Sequence, residues 1–459
     1  MTRYTMHRIL SGGGFQPFSV ASLQLALVIG ILPNIMFLVV MPFFIASRLA
    51  SPLLYAMAGL LALLLPRWAT FPLLFAAAVS DLMLIVVGAF HLKLTSAIKS
   101  ISYLSTLNPT ASFFYLAFAA ALLATAGLIG GLLLRYRSQF RAASPTPAAI
   151  IACLFALLDL TANFPYVRAS AEGLGFQSAV NQAGLSADIV ARRGHNLFIV
   201  VIEGMGAFAA ENDREIVAGS LKTIAARYPY EFQHGTSFYN GSTTDAESRE
   251  LCGKRGDFRT YLPDGHYPCL PRQLSQLGYR TISYHGFSSA MFERQRWYPN
   301  IGFKEMNFEE ELLAQHATLL PSRCGSVFPG LCDSEMAEVI RRELIAPSNT
   351  PKMVYWLTLN SHIPYVPKAN GSLDCTGDRP KIDEKTVCEL AEYWKEVMDA
   401  VAGIASDPAL PPTDILIVGD HHTPLWNRRA KNKFVLNKVD WFLLRSTERR
   451  HKAVSSTPS

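Results

Sequence analysis

The stretch Asn196-Leu-Phe-Ile-Val-Val-Ile-Glu-Gly204 decides the fold. Six apolar residues run without a break into one acid, Glu203. A continuous β-branched run of this kind reads as a strand buried on both faces, as in a parallel sheet. Such strands present ligand-binding groups at their carboxyl ends. A second stretch has the same form, Asp414-Ile-Leu-Ile-Val-Gly-Asp-His-His422, and it ends in Asp420 and His421. Two buried strands that finish in metal-ligating side chains suggest one metal site at one edge of one sheet.

Working outward, the chain is too long for one domain and too apolar for an ordinary soluble enzyme: 459 residues, 50% of them hydrophobic. The apolar excess lies before about Val167. The formal charge of +6 is mild, and no basic block with interleaved aromatics occurs, which argues against a nucleic-acid partner. Of seven cysteines, Cys153 lies in an apolar run and six lie beyond it as close pairs, Cys252/Cys269, Cys324/Cys332 and Cys375/Cys388. Close pairing in a membrane-attached domain reads as local disulfides in an oxidising compartment. The rival readings are zinc clusters or free core thiols, and the absence of a CxxC spacing weighs against zinc.

Apolar segments fall at Leu23–Ala46, Pro52–Leu65, Phe71–Leu92, Phe113–Leu134 and Ala148–Val167. A helix needs about 20 apolar residues to cross a bilayer, so the expectation is a bundle of about five transmembrane helices. Asp81 and Asp159 fall inside spans, as interhelical hydrogen-bonding groups or as a functional polar site. Arg135, Arg137 and Arg141 follow the fourth span and match the basic N-terminus, so both lie on the cytoplasmic side by the positive-inside rule. The C-terminal half is then outside, and so is the polar loop Lys93–Ser112. The expected organisation is a transmembrane domain over residues 1–167, a bridging segment over 168–195, a catalytic domain over 196–446 and a polar tail over 447–459.

Strand-like runs at 196–202, Arg280–Tyr284, Met353–Thr358 and Asp414–Val418 alternate with helical patterns at Pro271–Leu277, Met336–Leu344 and Val387–Ala402. That alternation predicts an α/β/α domain with a mainly parallel sheet. Between strand and helix lies Gly241-Ser-Thr-Thr-Asp-Ala-Glu247. Thr244 with Glu247 fits a capping box. The same helix start also aims a hydroxyl and free N–H groups at an anion. A metal nearby would make Thr243 a nucleophile.

The ordered set Ile-Glu203-Gly, Gly-x-Thr243-Thr-Asp-x-Glu247, His285-Gly, Phe292-x-Arg294, Asn-Ser-His362-x-Pro-Tyr and Gly-Asp420-His421 resembles the membrane-bound phospholipid head-group transferases of the alkaline phosphatase/sulfatase superfamily. The Thr-Thr-Asp-x-Glu helix and the His285-to-Arg294 spacing are similar to the lipoteichoic acid synthase and phosphoglycerol transferase branch, with Phe292 where that branch has Trp. The cysteine pairs, Gly330-Leu-Cys-Asp333 and Ser361-His-x-Pro are similar to the Gram-negative phosphoethanolamine transferases.

The resemblance implies that Glu203, Thr243, Asp420 and His421 hold one divalent metal, zinc or manganese, with a second metal possible; His422, next to that pair, reads as a further ligand, a substrate contact or a surface residue. It implies Thr243 as nucleophile, Arg294 and His362 as phosphate-binding groups with His362 the general acid, and His285 and Phe292 as pocket-lining residues. Of the tryptophans, Trp297 and Trp356 read as core and Trp426 as a candidate substrate contact. Leu319-Leu-Pro-Ser-Arg323 has the form of the sulfatase Cys-x-Pro-Ser-Arg signature, but leucine replaces the modifiable residue. The expected activity moves a phospholipid head group, phosphoethanolamine ahead of phosphoglycerol, through phospho-threonine to a lipid A or other cell-envelope glycan. The expected location is a bacterial inner membrane with the catalytic domain in the periplasm. The alternatives are a phosphodiesterase or phosphatase that passes the intermediate to water, and a non-catalytic membrane scaffold.

Overall fold

A computed structural model describes residues 18–35, 48–89, 101–171, 176–239 and 241–448. These divide into two compact units: a helical one, from residues 18–35, 48–85 and 117–164, and a mixed one, from 86–89, 101–116 and 165 onward.

In the helical unit, three helices are long and apolar enough to cross a membrane, Arg67–Val87, Phe113–Arg135 and Thr146–Asn163. Two shorter apolar helices, Val20–Asn34 and Ser51–Leu64, and the short helix Arg137–Ala142 are also described there. Five full spans are therefore not established. The first helix passes into a π turn at Leu27–Ile31 and a 3-10 turn at Leu32–Asn34, and the rest of the expected first span lies outside the described residues. Small residues let the helices approach closely: a Cβ on Gly59 would lie 2.4 Å from Ile29 Cγ2, and one on Gly130 would lie 2.7 Å from the Phe71 ring. Both buried acids belong to one network. Arg48 pairs with Asp81, its Nη1 donates to Asn34 Oδ1 (3.0 Å), and its backbone N–H donates to Asp159 Oδ1 (3.1 Å). Satisfying polar groups inside the bundle is what an apolar surround demands.

In the mixed unit, seven strands form one sheet in the order β2-β9-β8-β1-β7-β3-β4. They are β1 (Asn196–Ile202), β2 (Tyr230–Phe238), β3 (Arg280–His285), β4 (Glu305–Asn307), β7 (Lys352–Leu357), β8 (Thr413–Gly419) and β9 (Lys438–Ser446). A hairpin of β5 (Arg323–Cys324) and β6 (Gly330–Leu331) stands apart. Strand β1 lies between β7 and β8, parallel to both, and all its residues are buried. This is the physical meaning of its unbroken apolar run. Alternate residues feed two cores. Phe198, Val200 and Ile202 pack with the helices Asp333–Ile345 and Lys385–Ala405, and Leu197, Ile199 and Val201 pack with Leu270–Gln276 and Arg294–Ile301. The result is the expected α/β/α sandwich. The antiparallel pairings in this sheet are those of β9, with β2 and with β8.

The expected bridging segment contains two short helices, Ala179–Gln182 and Ala187–Arg193, and the last long apolar helix runs on to Ala171. The described part of the loop expected between spans three and four, residues 101–112, packs with the mixed unit. Asn108 N–H donates to Val327 O (2.8 Å), and Tyr103 stands edge-on to Phe292. The six cysteines beyond Cys153 form Cys252–Cys269, Cys324–Cys332 and Cys375–Cys388.

Candidate active site

The parallel strands bring their carboxyl ends to one edge, where the chemistry collects. Glu203 follows β1 and Asp420 follows β8. Asp420 N–H donates to Ile202 O (3.2 Å), and Asp420 Oδ1 accepts from Gly204 N–H (2.8 Å) and His421 N–H (2.6 Å). The turn after Glu203 needs glycine: Gly204 has φ +69°, and a Cβ there would lie 2.6 Å from Thr423 Oγ1. Two groups donate to the Glu203 carbonyl, Ser361 Oγ (2.6 Å) and Trp394 Nε1 (3.1 Å), and Glu203 N–H donates to Thr358 Oγ1 (3.0 Å).

Glu203, Asp420 and His421 each offer one ligand atom, and these atoms lie within 4.8 Å of one another. His421 Nε2 is 3.7 Å from Glu203 Oε1 and 3.3 Å from Asp420 Oδ2. Its Nδ1 donates to His422 O (3.1 Å), which leaves a lone pair on Nε2. Asp420 Oδ2 is buried without a hydrogen-bond partner among the described residues. An orphaned carboxylate oxygen beside a second buried acid is costly unless a cation sits between them. Burial, with the Asp420 charge beside it, pushes the Glu203 carboxyl well above the usual range. This donor set fits a divalent cation.

Thr243 opens the helix Thr243–Cys252, where free N–H groups and the helix dipole favour an anion. Its Oγ1 donates to Glu203 Oε2 (3.2 Å) and lies 3.5 Å from His421 Nε2. The capping box differs from the expected one. Ser242 is the N-cap and Asp245 its partner, so Thr244 and Glu247 fall inside the helix. The physical reason is that Glu247 is needed elsewhere. It is fully buried and takes the guanidinium of Arg294 at Nε (3.3 Å) and Nη2 (3.1 Å), and Tyr298 Oη also donates to it.

Arg294 is thus a buried ion-pair partner of the Thr243 helix, with Nε and Nη2 turned to Glu247. The two residues around its entry, Phe292 and Glu293, have φ of 55° and 52°. Left-handed backbone at two successive non-glycine residues is strained, and such strain gathers at functional sites. The Phe292 ring lies 5.4 Å from Arg294 Cζ. His285, at the end of β3, donates from Nδ1 to Leu357 O (3.0 Å), and burial next to Arg294 holds its imidazole well below the ordinary range. His362 donates from Nδ1 to Ile363 O (2.7 Å), and its ring centroid lies 3.8 Å from that of Phe328. Burial lowers it to about 4, against the pull of the Ile363 carbonyl, so it is neutral at pH 7 and carries a lone pair on Nε2. That state is a proton acceptor, whereas the expected general acid needs a proton first.

Of the other expected contacts, His422 is buried, with Nδ1 on Thr423 O (2.7 Å) and its ring stacked on Phe434. Trp426 is half-buried. Trp297 and Trp356 are fully buried core.

Sequence reasoning missed the back of the Thr243 helix. Arg249 donates from Nη1 to Asp420 O (3.0 Å), from Nη2 to Gly419 O (2.9 Å) and from Nε to Glu250 Oε1 (2.6 Å). Glu250 Oε2 accepts in turn from Ser178 Oγ (2.9 Å) and Val180 N–H (3.0 Å).

A protein-family model described as Sulfatase matches residues 195–429, more than half of the chain. The chain belongs to the sulfatase family. The matched range runs from the residue before β1 to the segment after Asp420 and His421, so it contains every ligand candidate above. This member has Leu319 at the first position of its Leu-x-Pro-Ser-Arg segment. Among solved structures it is similar to the lipoteichoic acid synthase LtaP of Listeria monocytogenes, at 18% identity and a TM-score of 0.40 over 56% of this chain and 66% of that one. The chain thus spans just under two thirds of that relative. It is similar to the Streptococcus pyogenes phosphoglycerol transferase GacH, at 14% identity and a TM-score of 0.38 over 57% and 73%. It is also similar to the integral membrane lipooligosaccharide phosphoethanolamine transferase A of Neisseria meningitidis, at 15% identity and a TM-score of 0.37 over 94% and 78%. No curated protein matches the chain.

Proposed function

We propose that this sulfatase-family protein is a metal-dependent transferase that moves a phospholipid head group, phosphoethanolamine ahead of phosphoglycerol, to a lipid A or other cell-envelope glycan. The observation that carries the reading is the Thr243 hydroxyl at a helix N-terminus, 3.2 Å from Glu203 and 3.5 Å from His421. A hydroxyl held among metal-ligating groups, on a chain that also carries apolar helices of membrane-crossing length, suits attack on a phosphorus atom at a bilayer surface. The cysteine pairs and Gly330-Leu-Cys-Asp333 favour phosphoethanolamine.

Glu203, Asp420, His421 and Thr243 would hold the cation, zinc or manganese. When bound, it supplies charge neutralisation at the phosphodiester and lowers the pKa of a coordinated hydroxyl. Thr243 Oγ forms a bond to phosphorus as the bond to the diacylglycerol oxygen breaks. The free N–H groups at the start of its helix stabilise the charge on phosphorus. The threonine proton ends on the diacylglycerol hydroxyl, and His362 Nε2 is the site we assign to carry it. The phospho-threonine is then attacked by the acceptor hydroxyl, whose proton returns to Thr243, so the cycle is ping-pong. Arg294 orients the Thr243 helix through Glu247 and brings cationic charge to the pocket that Phe292 and His285 line. The catalytic unit is assigned to the periplasmic side of the bacterial inner membrane, in line with its cystine pairs and the basic residues of the 135–141 turn.

The test is intact mass spectrometry of the purified protein and its Thr243→Ala variant after incubation with phosphatidylethanolamine or phosphatidylglycerol. A mass gain on the wild type alone supports the covalent route, and its size names the head group. Neither adduct nor diacylglycerol with metal present would exclude these donors.

A further inference from the structure

We propose that Arg67, Arg137 and Arg141 form a binding site in the helical unit for the phosphate of an anionic phospholipid. The site lies where the helix Ser51–Leu64 ends. Arg137 Nη2 and Arg141 Nε both donate to Leu63 O, at 2.9 and 2.7 Å, and Arg137 Nη2 also donates to Leu65 O. Two guanidinium groups that share one carbonyl stand within a few ångströms of each other, and Arg67 is close enough to repel Arg137 as well. The negative end of the helix dipole offsets part of this charge. It does not account for Arg137 Nη1, which is buried without a hydrogen-bond partner among the described residues, on a residue only 6% exposed. A buried cationic donor without an acceptor is costly and asks for an anion.

The chain cannot supply that anion from its first half. The sequence holds two carboxylates before Glu172, Asp81 and Asp159. Each lies well along its own helix, about 16 Å from Thr70 and about 20 Å from Thr146 at 1.5 Å per residue. Both are engaged in the Arg48 network. An anion from outside the chain would satisfy this donor, and its level in the bilayer names the source. Arg67 begins one membrane-length helix, Arg135 ends the next, and the third begins at Thr146. Trp68, 77% exposed, and Tyr136, exposed beneath the Arg135 guanidinium, stand at the same helix ends. Aromatic residues with arginines at helix ends mark the head-group layer, and basic pockets between helices there take lipid phosphates. Exposed Arg67 and Arg141 would reach the phosphate from the side, with Arg137 Nη1 at its base.

The test uses the full-length protein in detergent and native mass spectrometry during titration with dioleoyl phosphatidic acid, an anionic lipid without a head group to transfer. Inorganic phosphate is titrated in parallel. The wild type is expected to retain one lipid. Retention should weaken about fivefold in Arg141→Gln and by a further similar factor in Arg67→Gln/Arg141→Gln, from about 1 kcal/mol per basic residue near a lipid surface. Both substituted residues are exposed, and Arg137 Nη2 still donates to Leu63 O in either variant, so the helix end keeps a donor; Arg137→Gln is a supplementary variant. The Thr243→Ala variant should retain lipid as the wild type does. Equal retention by wild type and the double variant would overturn the proposal. So would inorganic phosphate that displaces the lipid at equal concentration, since the pocket would then take free anions.

Discussion

Replacing Arg249 with methionine tests how the Thr243 helix is locked to the loop that carries Asp420 and His421. Arg249 and Glu250 are 4% and 1% exposed. The substitution removes donors from the carbonyls of Gly419 and Asp420 and leaves Glu250 without its cation, although Ser178 Oγ and Val180 N–H still serve its other oxygen. Breaking a buried pair from one side costs about 3–5 kcal/mol. For a unit of this size that is a fall of roughly 10 °C in melting temperature. Arg249→Lys keeps the charge but cannot fork to two carbonyls, so it should lose about half as much. Because the lost bonds hold the backbone of Asp420, metal affinity should fall along with stability. The assay is thermal unfolding of the full-length protein in detergent, with and without metal, beside a chelator competition. A fall of less than about 2 °C for Arg249→Met, or unchanged metal affinity in a protein that has lost stability, would refute the claim that this residue sets the ligand loop.

Gly204→Ala should be poorly tolerated: alanine in left-handed backbone costs about 1–2 kcal/mol, and its Cβ would meet Thr423 Oγ1 at 2.6 Å. Chelator competition should show at least roughly tenfold weaker metal binding, one factor of ten for each 1.4 kcal/mol, and wild-type affinity would contradict this. Asp333 predicts a pH dependence of stability. Burial raises its carboxyl to about 7, against the pull of the Asn360 and Leu359 N–H groups. The folded value lies above the unfolded value of about 4, so the folded state binds the extra proton and stability falls as pH rises between the two. Melting temperature should decline over that window in the wild type and flatten in Asp333→Asn. An identical slope in both proteins would remove Asp333 as the cause.

The strands and the ligand candidates were legible because burial on both faces leaves a plain mark: from Leu197 in β1 and from Ile415 in β8 no polar side chain occurs until the chain leaves the sheet, and the first polar groups beyond, Glu203, Asp420 and His421, stand within 4.8 Å of one another. The Arg249–Glu250 pair was illegible for the opposite reason. Charged residues on a helix read as a solvated face, and nothing local reveals that this one is buried from Ala246 to Leu251. The Ser242–Asp245 cap was missed by a shift of two residues, because Thr244 with Glu247 satisfies the same spacing. Glu247 was freed for Arg294 by contacts 47 positions apart, beyond any periodicity. Five spans are not established among the described residues, because apolar length sets only an upper bound on spans, and the first described helix passes into π and 3-10 turns where Asn34 turns inward to Gly30 O and Arg48.

The segment 101–112 has a practical consequence for anyone who trims this protein. Its Tyr103 and Leu107 side chains cover Phe287, Met291 and Leu359. Cutting the chain anywhere between that segment and β1 would therefore strip a piece from the catalytic unit. The shortened product would present a greasy, newly wetted face beside Phe292, the sort of surface that promotes self-association. Kinetics from such a fragment would describe a pocket with one wall missing, and adding back residues 101–112 as a peptide would be a direct way to restore it.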